Sequence, residues 1–255
     1  NTDVIEKLIR ENSKLIPSVG ELAKITELTE TEIRTNMEIL EEEDKITVIR
    51  LKNDIYTYHK DYERDYENKL DKYLFRFHQE NNYKKGVKKS EIKSRFFPKI
   101  KQPVFDSLIL KMADKNVLKL EEEYISLPYF SIKYDENYLK GEAKILKLLD
   151  EAGYDFIKPE DLKSMTFTNI SSEDILSILT DNKKIIKINE DCITSYDKFD
   201  KAKNILIKYI KENGKITAAE YRDLLNTNRK NAIILLEYFD ITRVTKRNGN
   251  DRVLF

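Results

Sequence analysis

The chain has 255 residues, 36% of them Asp, Glu, Lys or Arg, with 46 basic residues balancing 46 acidic ones. Only six glycines and five prolines interrupt it, a composition that favours a helix-rich globular protein over a disordered or barrel-like one. The single cysteine, Cys192, excludes an internal disulfide framework and a multi-cysteine zinc site and leans towards a reducing compartment. No apolar run reaches the roughly 20 residues of a membrane span and no signal peptide opens the chain, so no membrane partner is expected. The sequence starts at Asn1 rather than at methionine, which suggests a piece of something longer.

Taken in order, the chain repeats itself. An acidic residue followed by a short apolar pattern recurs at Glu21, Glu91, Asp161 and Glu220, at intervals of 70, 70 and 59 residues. A polar turn, a second helical pattern and a β-like run follow each mark; the runs at 46–49, 117–120, 185–188 and 244–246 begin 25, 26, 24 and 24 residues later. Residues 59–82 place Tyr62, Tyr66, Leu70, Tyr73, Leu74 and Phe77 on one helical stripe, and 198–213 do the same with Ala202, Ile205, Leu206, Tyr209 and Ile210 before a stop at Gly214. Gly153 ends a similar stripe of Ile145, Leu146 and Leu149, while Gly141 leaves the start of that helix open.

Helix starts recur as well. Ser18 with Glu21 and Thr217 with Glu220 read as capping boxes, Thr29 with Glu32 and Ser171 with Asp174 mark the third helix, and Pro159 suits a first helical turn. Three helices and a two-stranded hairpin make the winged-helix pattern. The expected fold is mainly α with small β-hairpins (α+β): four tandem winged-helix domains, 1–58, 59–130, 131–197 and 198–255, in an extended, semi-rigid array with almost no linker.

Zero net charge conceals an uneven distribution. The four segments carry 8, 16, 9 and 13 Lys/Arg against 13, 12, 14 and 7 Asp/Glu, giving −5, +4, −5 and +6. Wing-tip residues are Lys52-Asn53-Asp54, Glu121-Glu122-Glu123 and Asn189-Glu190-Asp191 in the first three, and Arg247-Asn248-Gly249-Asn250-Asp251 in the last. Only the fourth tip is flanked by Arg243, Lys246, Arg247 and Arg252, which directs phosphate binding there. Asn248-Gly249 signals a tight turn, since both residues accept φ > 0.

In the fourth segment the third helix buries Ala232, Leu235, Leu236 and Phe239, and opens on Asn228, Arg229, Lys230 and Asn231. Free N–H groups and the helix dipole favour an anion at that end. Arg229 has a purely structural alternative in Glu220 or Asp223, Arg222 has one as a plain surface charge beside Asp223, and Tyr221 and Tyr238 fit the core better than a base-stacking role. Arg229, Lys230, Lys246, Arg247 and Arg252 are the candidate phosphate clamps, with Asn228 or Arg243 reaching a splayed base. Arg222, Thr227, Asn248 and Gly249 complete the candidate site.

The run Arg222-Asp223-Leu224-Leu225, Thr227, Arg229-Lys230 and Ala232, then Leu235-Leu236-Glu237-Tyr238-Phe239-Asp240, Val244-Thr245, Arg247, Gly249 and Arg252-Val253-Leu254 resembles the C-terminal winged helix of the selenocysteine-specific elongation factor family, SelB. The likeness is specific over about 38 residues; Asn226 stands where that family tends to have Gly, and Asn228 where Ser is common. It implies a last segment that grips the mRNA hairpin recoding a UGA codon. It also implies a ribosome partner, a cytoplasmic setting, a monomer, and a GTPase half that handles GTP and selenocysteinyl-tRNA outside this sequence.

Residues 84–101 form a second basic run that reads as a solvated face or, more sharply, as a contact to ribosomal RNA or tRNA. Enzymatic signals are poor: His59 and His78 lack metal-ligand spacing, Cys192 sits in a hairpin, and no phosphate-binding Gly-x-x-x-x-Gly-Lys-Ser/Thr loop is present. No catalytic residue, metal or cofactor is therefore expected. A tandem winged-helix DNA-binding regulator and a protein-interaction scaffold are the alternatives.

Overall fold

The computed structural model describes residues 2–255, which divide into two compact units, one reaching to Ile132 and the other spanning Lys133–Phe255. The architecture is α-rich with small antiparallel hairpins.

In the first unit, α1 (Thr2–Asn12), a 3-10 turn (Ser13–Leu15), α2 (Val19–Lys24) and α3 (Glu30–Glu42) precede the hairpin β1 (Ile46–Arg50) and β2 (Ile55–His59). Ile5, Ile9, Val19, Leu22, Ile33, Met37 and Leu40 converge from the three helices on Ile46 and Val48 of β1. His59 ends β2 and caps α4 (Lys60–Glu80), its Nδ1 accepting the Asp61 N–H at 3.0 Å, so one residue serves as both strand end and helix start. After α4 come β3 (Val87–Lys88), α5 (Lys89–Phe96), α6 (Gln102–Asp114), β4 (Lys119–Glu121) and β5 (Tyr124–Ser126). A second core joins Leu70, Leu74, Phe97, Phe105 and Leu108 with Ile16, Ile49 and Tyr58, so the two halves of this unit share apolar surface.

The second unit runs α7 (Glu136–Ala152), α8 (Pro159–Lys163), α9 (Ser172–Asp181), β6 (Ile185–Asn189), β7 (Cys192–Ser195), α10 (Tyr196–Asn213), β8 (Ile216–Thr217), α11 (Ala218–Leu225), α12 (Arg229–Ile241), β9 (Thr245–Asn248) and β10 (Asp251–Leu254). Ser195 closes β7 and caps α10, which therefore begins two residues before the expected 198. Gly141 lies inside α7 without breaking it. An added Cβ there would sit 2.3 Å from Ile175 Cδ1, so the glycine is the contact that lets α7 lie close on α9.

The caps form as the sequence suggests. Ser18, Thr29 and Thr217 each make a reciprocal capping box, Ser171 accepts the Asp174 N–H, and Pro159 occupies the first turn of α8. One feature recurs that spacing alone does not reveal. Asp44, Asn116, Lys183 and Arg243 follow α3, α6, α9 and α12 with φ of 55°, 57°, 53° and 58°. The next N–H in each case returns five residues: Lys45 to Leu40, Val117 to Met112, Lys184 to Leu179 and Val244 to Phe239, at 2.8–2.9 Å. Each is a Schellman stop that turns the chain from helix into hairpin.

The hairpins also gain a partner that a two-stranded reading omits. β3 pairs with β5 and β8 with β10, giving sheet orders β3-β5-β4 and β8-β10-β9. Single bridges, Ser18 to Tyr56 and Ile157 to Ile193, take the corresponding place at β2 and β7. Two-residue strands carry no alternation to read, and Val87 and Ile216 form them because both side chains bury on the helices.

Candidate nucleic-acid interface

α12 and the β9–β10 hairpin position the candidate residues. Asn226, with φ 50°, takes the left-handed turn between α11 and α12. Asn228 then caps α12, its Oδ1 accepting the Asn231 N–H at 2.9 Å. Ala232, Leu235, Leu236 and Phe239 pack inwards, so Arg229 and Lys230 in the first turn stand exposed. The structural alternative for Arg229 does not form: Glu220 is held by Thr217 and Tyr209, and Asp223 pairs with Arg222 at 2.6 Å. Arg222 is thus the surface pair with its neighbour.

In the wing, Asn248 pairs with Asp251, so the two turn residues are Gly249 and Asn250, one position later than the Asn248-Gly249 expected. Gly249 carries the positive φ of 62°, and Asn248 is ordinary strand. A positive φ at the first turn residue suits the twist of a hairpin, and glycine supplies it without steric cost. Strand alternation puts Lys246 and Asn248 on one face and Arg247 on the other, with buried Thr245 and Arg252. Arg247 folds back, its Nε donating to the Gly249 carbonyl at 2.9 Å. Lys246 and Arg247 therefore offer charge on both faces of the tip.

Arg252 departs from the expected clamp. Its side chain is 8% exposed and its Nε donates to Asp240 Oδ2 at 3.2 Å, while Thr245 donates to the other oxygen of Asp240 at 2.6 Å. The C-terminal turn of α12 is tied to both wing strands through this one carboxylate, so Arg252 is spent on the fold. Arg243 adopts the left-handed conformation and lays its guanidinium 5.6 Å from the centre of the exposed Phe255 ring. Thr227 donates to the Tyr154 carbonyl at 3.4 Å.

Among the described residues Arg229, Lys230, Arg243, Lys246 and Arg247 make no ion pair with a carboxylate, whereas Lys215 is held by Asp251 at 2.7 Å. The sequence placed Asn231 in the first turn of this helix but not its partner: Asn231 is 8% exposed and donates to Asp155 Oδ1 at 3.0 Å. The available signal was an asparagine beside an apolar stripe, a position that demands a buried partner.

The remaining candidates are structural. Tyr221 is buried and donates to the Ala202 carbonyl at 2.9 Å, burial pushing its phenol well up. Tyr238 packs edge-on against Phe199 at 5.4 Å. Burial likewise raises the Cys192 thiol. His78 stacks on Phe130 at 3.5 Å and accepts the Leu127 N–H at 3.3 Å; burial first, and Lys119 second, lower its pKa to about 4. In the 84–101 run, Lys89 pairs with Asp106 at 2.7 Å, Lys101 with Glu21 at 2.8 Å, and Arg95 lies 4.5 Å from the Tyr73 ring. Much of that run's charge is used within the unit.

A helix-turn-helix whose wing and third helix expose cations without carboxylate partners defines a winged-helix protein with a cationic end. Two family models, both described as elongation factor SelB, winged helix, match residues 72–127 and 208–254. Those two stretches are therefore similar to SelB winged helices. It is 25% identical over 186 residues to the selenocysteine-specific elongation factor of Haemophilus influenzae, covering 70% of this chain and 29% of that protein. The corresponding factor of Desulfomicrobium baculatum is 22% identical, covering 71% and 28%. A solved structure of the mRNA-binding domain of SelB from E. coli in complex with SECIS RNA is 28% identical, covering 45% of this chain and 97% of that one, with a TM-score of 0.35. The chain spans under a third of the length of these curated relatives. Among the described residues no helix is long and apolar enough to cross a membrane.

Proposed function

We propose that the chain comprises four winged helices, 1–58, 59–130, 131–197 and 198–255, and that the last binds the selenocysteine-insertion mRNA hairpin, tethering the elongation factor to it during UGA recoding on the ribosome. The observation that carries this reading is the set Arg229, Lys230, Lys246 and Arg247, exposed and without carboxylate partners at the first turn of α12 and on the wing tip, within a stretch similar to a SelB winged helix. The recurring Schellman stop and the third strand or bridge support the count of four. GTP and selenocysteinyl-tRNA belong to sequence outside these residues.

A-form RNA hides its bases in a deep, narrow groove, so the protein grips backbone phosphates and reads bases splayed from the loop. Arg229, Lys230, Lys246 and Arg247 take the phosphates, and Arg243 beside Phe255 faces a loop base. The test is a titration of the insertion hairpin against a linear strand and a duplex DNA at several salt concentrations. Hairpin preference is expected, and equal affinity for hairpin and linear strand defeats it; preference for the duplex favours a DNA regulator. Arg247→Ala is expected to weaken hairpin binding several-fold and reduce the salt slope by about one. Unchanged binding removes the wing from the site.

A further inference from the structure

The first turn of α12 is where free N–H groups and the helix dipole favour an anion, and a carboxylate of the chain already stands there. Asp155 lies in the turn between α7 and α8, delivered by Gly153 with φ 62°. Its Oδ1 accepts from Asn231 Nδ2 at 3.0 Å and from Asn228 Nδ2 at 3.4 Å. Asn228 is the cap of α12, and Asn231 is buried. Beside it, Thr227 donates to the Tyr154 carbonyl at 3.4 Å, and the Tyr154 hydroxyl donates to the Lys198 carbonyl of α10 at 3.3 Å. The Tyr154-Asp155 pair thus grips the start of both α12 and α10. Three polar side chains at the head of the helix that carries Arg229 and Lys230 direct their hydrogen bonds to this turn.

We infer that Asp155 is a positioning residue for the RNA-facing surface: it holds the first turn of α12, and with it Arg229 and Lys230, at a fixed angle without itself meeting RNA. This rests on the reading in which those two cations take phosphate. Fixing them in advance lowers the ordering cost of binding. It also sets a negative charge of the chain's own against the side-chain amides of Asn228 and Asn231 at the start of the helix.

The test uses the full chain, with the insertion hairpin and a linear strand as probes, in wild type, Asp155→Ala and Asp155→Asn. Asp155→Ala is expected to weaken hairpin binding about tenfold, as two lost hydrogen bonds would. The slope of log affinity against log salt stays unchanged, because no phosphate contact is removed. Asp155→Asn keeps an acceptor oxygen and is expected to stay within about threefold of wild type. Equal hairpin affinity in wild type and Asp155→Ala overturns the inference, as does an Asp155→Asn protein as weak as Asp155→Ala. Amide exchange at residues 229–232 is read in parallel: faster in Asp155→Ala and restored in Asp155→Asn is expected, and no change overturns it. If wild type shows no hairpin preference, the RNA reading falls, and the exchange measurement alone decides whether Asp155 holds the helix.

Discussion

Arg252 and Arg247 lie directly opposite each other across the wing, yet they answer to different demands. Arg252 is buried against Asp240, and removing one member of a buried pair leaves the other charge uncompensated. Arg252→Ala is expected to cost about 3 kcal/mol in urea unfolding, while the salt slope of RNA binding by the folded protein stays as in wild type. A slope reduced by about one would return Arg252 to the phosphate contacts. His78 supplies a pH dependence of known sign. Its pKa falls from 6.5 to about 4 in the folded protein, so between those values the unfolded chain binds more protons and stability declines as pH falls through 6.5 towards 4. Above pH 6.5 the effect is absent. The wild type's advantage over His78→Gln is expected to shrink by roughly 2–3 kcal/mol across that window, which unfolding free energies at pH 4, 5 and 7 would measure.

At the scale of elements, packing demands are set where strands meet turns. Gly86 leads into β3, and a Cβ on it would lie 2.3 Å from the Ile125 carbonyl oxygen of β5, a backbone atom with little freedom to yield. Gly86→Ala is expected to destabilise the first unit by about 1–3 kcal/mol, seen as a lowered urea midpoint; an unchanged midpoint would mean that β3 can separate from β5 without loss. Helices and caps were legible because their signals are local: Ser18, Thr29 and Thr217 each sit three residues before a glutamate, and the α4 stripe repeats at three and four. β3 and β8 were not, because a two-residue strand has no period and owes its pairing to β5 and β10, far along the chain. The candidate interface was legible as composition and in part misread as geometry. Arg252 carries the same charge as Arg247, and only the register beside Asp240 separates a buried tie from a free cation. Asp155 lies 73 residues before Asn228 and had no local mark.

On the scale of the molecule, the repeats are not independent beads. Ile188 and Cys192 from the β6–β7 hairpin belong to the same buried cluster as Phe199, Leu206, Leu235 and Phe239, with Phe156 and Ile186 packed against it. The Tyr154-Asp155 turn adds hydrogen bonds to α10 and α12. A fragment of residues 133–255 is therefore expected to unfold in one transition and to bind the hairpin within about threefold of the full chain. Residues 198–255 alone would lose the cover that Ile186, Ile188 and Cys192 provide. Exposing apolar side chains of this size costs roughly 1.5–3 kcal/mol each, against a total stability of only about 5–15 kcal/mol for a domain. The shorter fragment is thus expected to melt at least 10 °C lower and to bind more weakly even where it is folded, since α12 has lost the turn that fixes its first residues. Thermal melts and hairpin titrations of the two fragments measure both effects. If 198–255 matches 133–255 in both, the shared core is incidental, and the preceding segment serves only as a spacer.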